Sequence, residues 1–228
     1  VDKKTYEKKF IQYYGLKVPE LLRTAMSLCN IHFLVELGVG DGALLEALHR
    51  EQLLYARYIY GVDISAERLK RAKDILPMVE FMHKDLRHTG LMGIDFVICN
   101  QVIEHIENQT GVVNAIYDML ADGGICYLST VFKKPWAWYF YRNKGKWVLD
   151  PTHVIEYTHD SQLVDLLKRD FEILINKKTL YWFPVTDFVL KRLGFGNDVY
   201  NNILFRMLRK IKLPILGYYE WILVLKKL

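Results

Sequence analysis

The sequence predicts an α/β fold, a parallel sheet with helices on both faces. Three observations carry this. Short apolar runs alternate with stretches of helical spacing from residue 31 to about 130. Four of the runs stop at an acid or an amide: Glu36, Asp63, Asp85 and Asn100. Three glycines, Gly38, Gly40 and Gly42, separate the first run from the helical stretch that begins at Ala43.

The first run (Ile31, Phe33, Leu34, Val35) leads through Glu36 into the glycines. Glycine tolerates φ > 0 and lets a ligand approach the backbone where a Cβ would block it. The helix start beyond it offers N–H groups with no partner inside the helix. A flat or anionic ligand is therefore expected across this turn. The spacing is not the Gly-x-Gly-x-x-Gly of a dinucleotide fingerprint, and a βα turn without a ligand is the alternative. The second run, Tyr58 to Asp63, ends in an acid about twenty residues after the glycines, where α/β nucleotide-binding folds place a ribose-binding carboxylate. A carboxylate accepts from two vicinal hydroxyls at once. A plain turn role for Asp63 is the alternative, and Ser65 is placed to cap the helix that follows. The third run, Val79 to Leu86, carries Asp85, and the fourth, Gly93 to Asn100, ends in the amide. Side chains at successive strand ends gather along one edge of a parallel sheet, where open α/β sheets bind ligands.

Taken in order, these motifs resemble those of the class I S-adenosylmethionine-dependent methyltransferases, in the group that includes ubiquinone-biosynthesis O-methyltransferases. The matching residues are Glu36 with Gly38, Gly40 and Gly42, then Asp63, Asp85, the segment Asn100-Gln101-Val102-Ile103-Glu104-His105, and the Asp122-Gly123-Gly124 turn into a fifth strand. The resemblance covers about residues 30–175. It implies a Rossmann-like seven-stranded sheet, its last two strands an antiparallel pair formed by Phe171 to Asn176 and Glu220 to Lys226. It further implies an N-terminal helical cap over residues 1–30, a main domain over 31–228, and an inserted helical cap at about 180–216.

The resemblance also implies roles. Glu36 and the three glycines would lie under the methionine and ribose portions of S-adenosylmethionine. Asp63 would accept from both ribose hydroxyls, and Asp85 from the adenine amino group. Ile64 and Leu86 would pack on the adenine, and the Asn100 carbonyl would accept from the cofactor's ammonium. The cofactor carries the activated methyl, so the protein's task is to hold the acceptor in line with it. A hydroxyl acceptor also needs a base. Glu104 and His105 follow Asn100 closely, and histidine titrates near neutral pH. His153 is a third candidate. In some relatives the stretch reads Glu-x-x-Glu-His and binds a divalent metal. Here it reads Gln101-x-x-Glu104-His105, so an amide stands where one carboxylate would be, which weakens affinity for a hard ion. Glu104, His105 and His153 would still form a two-histidine, one-carboxylate set of the kind known for catalytic zinc. The first reading has no metal.

Composition bounds the rest. The chain has 228 residues, 51% of them hydrophobic and 25% charged, which suits one α/β domain with decoration. No apolar run reaches the roughly 18 residues of a membrane span. The start, Val1-Asp2-Lys3-Lys4, lacks the apolar core of a signal peptide. Cys29, Cys99 and Cys126 lie in or beside apolar runs without metal spacing and read as buried free thiols of a cytoplasmic protein. A net charge of +5 admits an anionic substrate without demanding nucleic acid.

Two stretches stand out. Val131 to Lys144 is dense in aromatics and bases and suits a substrate-facing loop. Tyr200, Ile203, Leu204, Met207, Leu208 and Ile211 follow helical spacing, with Arg206, Arg209, Lys210 and Lys212 among them. Such a helix packs on its own protein, covers the substrate site, forms a dimer contact or lies on an anionic membrane surface. The expected activity is O-methylation of a small-molecule, sugar or lipid-linked acceptor. RNA 2′-O-methylation is the rival within the enzymes. A non-catalytic subunit that binds the cofactor for a partner is the rival from another class.

Overall fold

The computed structural model describes residues 17–139, 141–143, 145–184, 186, 190, 193 and 202–228. Five strands come first: β1 (Phe33–Leu37), β2 (Tyr58–Asp63), β3 (Glu80–His83), β4 (Ile94–Asn100) and β5 (Leu120–Lys133). A separate hairpin follows, β6 (Tyr141–Asn143) with β7 (Lys146–Val148). Two long strands, β8 (Phe171–Pro184) and β9 (Lys212–Lys227), complete a seven-stranded sheet of order β3-β2-β1-β4-β5-β9-β8. The first five strands run parallel, and β9 lies antiparallel between β5 and β8. This is the expected Rossmann-like architecture.

The helices are α1 (Glu20–Met26), α2 (Ala43–Arg50), α3 (Ala66–Ile75), α4 (Gln109–Met119), α5 (Ser161–Leu167) and α6 (Ile203–Leu208). The strands face opposite ways at successive residues, so one run of apolar residues feeds two cores. Val35, Leu37, Val97, Cys99 and Leu128 pack with Val112 and Ile116 of α4 and Leu163 and Leu167 of α5. Leu34, Phe96, Ile98 and Tyr127 pack with Leu22 of α1, Leu45 and Leu48 of α2 and Leu69 of α3. Burial on both faces is why the central strands read as continuous apolar runs rather than alternating ones. Ser65 caps α3 as expected, its Oγ accepting from the Arg68 N–H at 3.3 Å.

Strand order reverses between β1 and β4, and the crevice at their carboxyl ends is the ligand-binding position of this architecture. Two expectations need correction there and beyond. The expected insertion at 180–216 is shorter, because β8 continues to Pro184 and β9 already begins at Lys212. Before Tyr218, β9 pairs with β8 but not with β5, so this two-stranded ribbon tolerates Pro214, which a central strand would not. Within the connection, α6 is the described helix; most of residues 185–201 lie outside the described ones, as do residues 1–16 of the N-terminal cap. Of the cysteines, Cys99 and Cys126 are buried, whereas Cys29 is only half-buried.

Candidate active site

A cavity of about 740 Å³ opens at the ends of β1, β2 and β4. Glu36, Gly38, Asp63, Ile64, Asp85, Leu86, Asn100 and His105 all line it, so residues spread over seventy positions of sequence meet in one place. Gly40 and Gly42 shape the turn beside it. All three glycines hold φ values that L side chains rarely adopt, +70° at Gly38, +55° at Gly40 and +78° at Gly42. Space is short as well. A Cβ at Gly38 would fall 2.4 Å from Val102 Cγ2, and one at Gly40 would fall 2.5 Å from Arg68 Nη2.

Asp63 ties this turn to β2. Its Oδ2 accepts from the Gly40 N–H at 2.9 Å and its Oδ1 from the Ser65 N–H at 2.8 Å. A carboxylate offers about four lone-pair sites, so one side chain can both hold a loop and accept from hydroxyl donors. The turn reading and the ribose reading of Asp63 are thus compatible. Sequence reasoning missed the neighbouring clamp. Asp41, buried at the tip of the turn, pairs with Arg68 Nη2 at 3.1 Å and Arg71 Nη2 at 2.7 Å, both from α3. The helical spacing of Arg68 and Arg71 was the signal that could have found it.

Glu36 is buried, and its Oε2 has no hydrogen-bond partner within the protein. Burial, with the Asp63 charge as a second cause, raises its carboxyl well above the ordinary value of 4.5. An orphaned buried acceptor on the wall of a cavity calls for a donor from a ligand. A cofactor that carries ammonium and hydroxyl groups fits it. Asp85 sits at the other end of the crevice. Its side chain accepts from Arg87 Nε at 2.9 Å and from the Arg87 N–H at 2.9 Å, and the Arg87 hydrogen bond holds its carboxyl down at about 2. Leu86 beside it is buried and Ile64 is exposed, two apolar walls suited to a flat ring.

A relay runs from Asn100 toward β8. Tyr181 donates its hydroxyl to Gln101 Oε1 at 2.6 Å. Gln101 Nε2 donates to Ser129 Oγ at 3.1 Å, and Ser129 Oγ donates to Asn100 Oδ1 at 2.6 Å. Gln101 itself is one of two non-glycine residues at positive φ, +57°, among those described. The chain of donors fixes the Asn100 amide with its oxygen toward Ser129. It also explains why an amide serves at position 101: a carboxylate could accept from Tyr181 but could not donate to Ser129.

Glu104, His105 and His153 come together as expected, each with one ligand atom within 4.8 Å of the others'. Their environments differ. His105 lines the cavity, together with Thr152, while Glu104 and His153 are buried behind it. Burial raises the Glu104 carboxyl to about 7, and its Oε1 has no hydrogen-bond partner, while its Oε2 accepts from Thr130 Oγ1 at 3.0 Å. The histidine tautomers follow from their partners. His105 Nδ1 lies 3.2 Å from the Thr152 carbonyl, which can only accept. It lies equally far from Thr152 Oγ1, whose own proton goes to Asp150 Oδ1 at 2.6 Å. Nδ1 therefore carries the proton, which makes Nε2 the acceptor nitrogen of the ring. His153 Nδ1 faces Glu156 Oε1 at 2.7 Å, a carboxylate–histidine pair of the kind that fixes ring orientation behind a site.

Comparison with known proteins accords with this geometry. A family model described as a methyltransferase domain matches residues 18–174. The chain therefore belongs to that family, and its motifs place it among the class I S-adenosylmethionine-dependent methyltransferases. A ubiquinone biosynthesis O-methyltransferase from Psychrobacter arcticus is 29% identical over 115 residues, 46% of this chain and 43% of that protein. The match thus spans less than half the length of that relative. Two solved structures share the fold. One is the N-methyltransferase NodS from Bradyrhizobium japonicum in complex with S-adenosyl-L-homocysteine, with a TM-score of 0.62, 11% identity and coverage of 99% of this chain and 96% of that one. The other is a SAM-dependent methyltransferase from Methanosarcina mazei, with a TM-score of 0.61, 13% identity and coverage of 93% and 99%.

Proposed function

We propose that the chain transfers a methyl group from S-adenosylmethionine to an oxygen of a small-molecule, sugar or lipid-linked acceptor. The observation that carries this is the position of His105. Its ring lines the same cavity as Glu36, Asp63 and Asp85, with Nδ1–H donating to Thr152, which makes Nε2 the acceptor nitrogen of the ring. The cofactor supplies a methyl group already activated on a sulfonium. Glu36, Asp63 and Asp85 orient it by accepting from its donors. His105 Nε2 takes the hydroxyl proton as the acceptor oxygen forms its bond to the methyl carbon and the carbon–sulfur bond breaks. Thr152 and Asp150 hold the ring in the tautomer this requires.

A second reading of the same residues rests on the convergence of Glu104, His105 and His153. The orphaned Glu104 Oε1 and the Glu156-oriented His153 suit a divalent metal, which would lower the acceptor hydroxyl's pKa.

The test is a radiolabelled methyl-transfer assay over hydroxylated aromatics, sugars and polyprenyl-linked acceptors, with and without chelator, alongside metal analysis of the same sample. Chelator-resistant transfer to oxygen, lost in His105→Ala, is expected. Transfer to nitrogen, transfer to RNA, or cofactor binding without any transfer would each overturn the reading. Loss of activity on chelation, with about one metal per chain, would replace the base reading by the metal reading.

A further inference from the structure

We infer that the chain docks on an anionic lipid bilayer through one aromatic and basic face, built from residues 131–149 and 202–219. The face begins as a charge asymmetry. These two segments hold nine of the chain's 31 basic residues and none of its 26 acidic ones. The net charge is +5, so the rest of the chain is net acidic and the positive charge is concentrated here.

The structure joins the two segments. Lys134 N–H donates to the Gly217 carbonyl at 2.8 Å. A Cβ at Gly217 would fall 2.7 Å from Ala137 Cβ and 3.0 Å from the Trp136 ring, so the loop after β5 lies directly on β9. Trp182 and Phe183 of β8 pair with Pro214 and Leu213, adding two more rings to the same end of the ribbon. Trp138 and Trp147 stack edge to face, with ring centroids 6.3 Å apart.

Apolar groups on this face point to solvent. Trp136 is 66% exposed, Leu213 58% and Leu216 68%. The helix α6, which leads directly into β9, exposes Ile203 at 70%, Leu204 at 58% and Met207 at 60%, so it too shows water an apolar side. Packing on the same protein, one alternative for this helix, would bury those positions. Lys134, Arg142, Lys146, Lys210 and Lys212 are exposed among them. Exposed tryptophans, exposed aliphatic side chains and exposed basic residues, all within these two segments, are the composition of a bilayer interface. A protein partner large enough to cover such a patch is the competing occupant; the absence of any acid in either segment favours an anionic surface.

The face also adjoins the acceptor end of the cavity. Asn143 Nδ2 donates to the His153 carbonyl at 2.9 Å and to the Pro151 carbonyl at 3.3 Å. Lys133 Nζ pairs with Glu156 at 3.1 Å, behind His153. A bilayer-dissolved acceptor would therefore enter beside His105. This last step rests on the methyl-transfer reading above; docking itself does not.

The test is sedimentation of the whole chain with vesicles of phosphatidylcholine alone or mixed with phosphatidylglycerol, over a range of salt. Binding is expected only to the mixed vesicles and is expected to weaken as salt rises. Each basic residue near such a surface contributes about fivefold, so Lys210→Gln with Lys212→Gln should weaken binding about thirtyfold. Leu213→Ser with Leu216→Ser should weaken it too. Both variants should bind S-adenosylhomocysteine as the parent does, which shows that they fold. The inference is overturned if the parent ignores the mixed vesicles or if both variants bind them equally well. It is also overturned if light scattering shows a dimer that Leu213→Ser with Leu216→Ser dissociates, because a second copy then covers the face. None of these outcomes bears on methyl transfer, and failure to bind S-adenosylmethionine would not bear on docking.

Discussion

The two ends of this cavity are built differently. At the proposed cofactor end, Glu36, the glycine turn, Asp63 and Asp85 sit at short strand ends, where Asp63 holds the turn and Asp85 pairs with Arg87 two residues on. At the acceptor end, His105 is positioned by a loop nearly fifty residues away, and Asn100 by a relay that reaches to Tyr181 on β8. A constant ligand can be held by a compact motif. A particular acceptor requires side chains from several late elements.

That contrast makes separable predictions. The largest effect should come from His105→Ala, which removes the proposed base but leaves the proposed cofactor end intact. Turnover should fall by about 10²–10⁴ with cofactor affinity unchanged. Equal losses in both would mean the two ends are not separate.

Asp63→Ala attacks the other end. It removes the carboxylate that would accept from the ribose and orphans the N–H groups of Gly40 and Ser65. Charge-assisted hydrogen bonds of this kind contribute about 1.5–3 kcal/mol each, so titration calorimetry should show affinity for S-adenosylhomocysteine falling about a hundredfold or more.

Gln101→Glu sharpens the comparison, because it changes one atom type at the junction between the ends. The carboxylate can no longer donate to Ser129, so Ser129 turns toward it and releases Asn100. A loss of about tenfold in kcat/KM is expected at neutral pH, and activity relative to the parent should recover in part as the pH is lowered and the new carboxyl regains a proton. A pH-independent loss would show that the relay does not depend on the direction of its donors.

The smallest effect concerns stability. Burial raises the Glu36 carboxyl above its usual 4.5. Between that value and the raised one, the unfolded chain holds fewer protons at this site than the folded chain. This site therefore lowers stability as pH rises through that window. Glu36→Gln removes the contribution. Urea unfolding at pH 5 and pH 8 should show the ligand-free variant gaining on the parent at the higher pH. No relative gain would mean that Glu36 is solvated or paired in solution.

The same division governs how much could be read from sequence. The cofactor end was legible because its residues lie next to strand termini, and their chemistry follows from local spacing. Ser65 as a cap and the acids at the ends of β1 and β2 needed nothing from the rest of the chain. The convergence of Glu104, His105 and His153 was reachable only through family resemblance, since fifty residues separate them. The Tyr181–Gln101–Ser129–Asn100 relay was not legible, because β8 was expected to end at Asn176. Beyond that point it is an edge strand with one partner, half-exposed on both faces, and shows no clean alternation to mark it. Likewise β9 begins at Lys212, well before the expected start at Glu220. Gly217, at φ +81°, gives the backbone close contact with Ala137 and Trp136.

The central claim is that the crevice between β1 and β4 binds the methyl donor through Asp63. Titration calorimetry of S-adenosylhomocysteine into the parent chain and into Asp63→Ala tests it directly. One binding site per chain in the parent, lost or weakened about a hundredfold in the variant, is the predicted result. No binding to the parent, or equal affinity in the two proteins, would contradict the account.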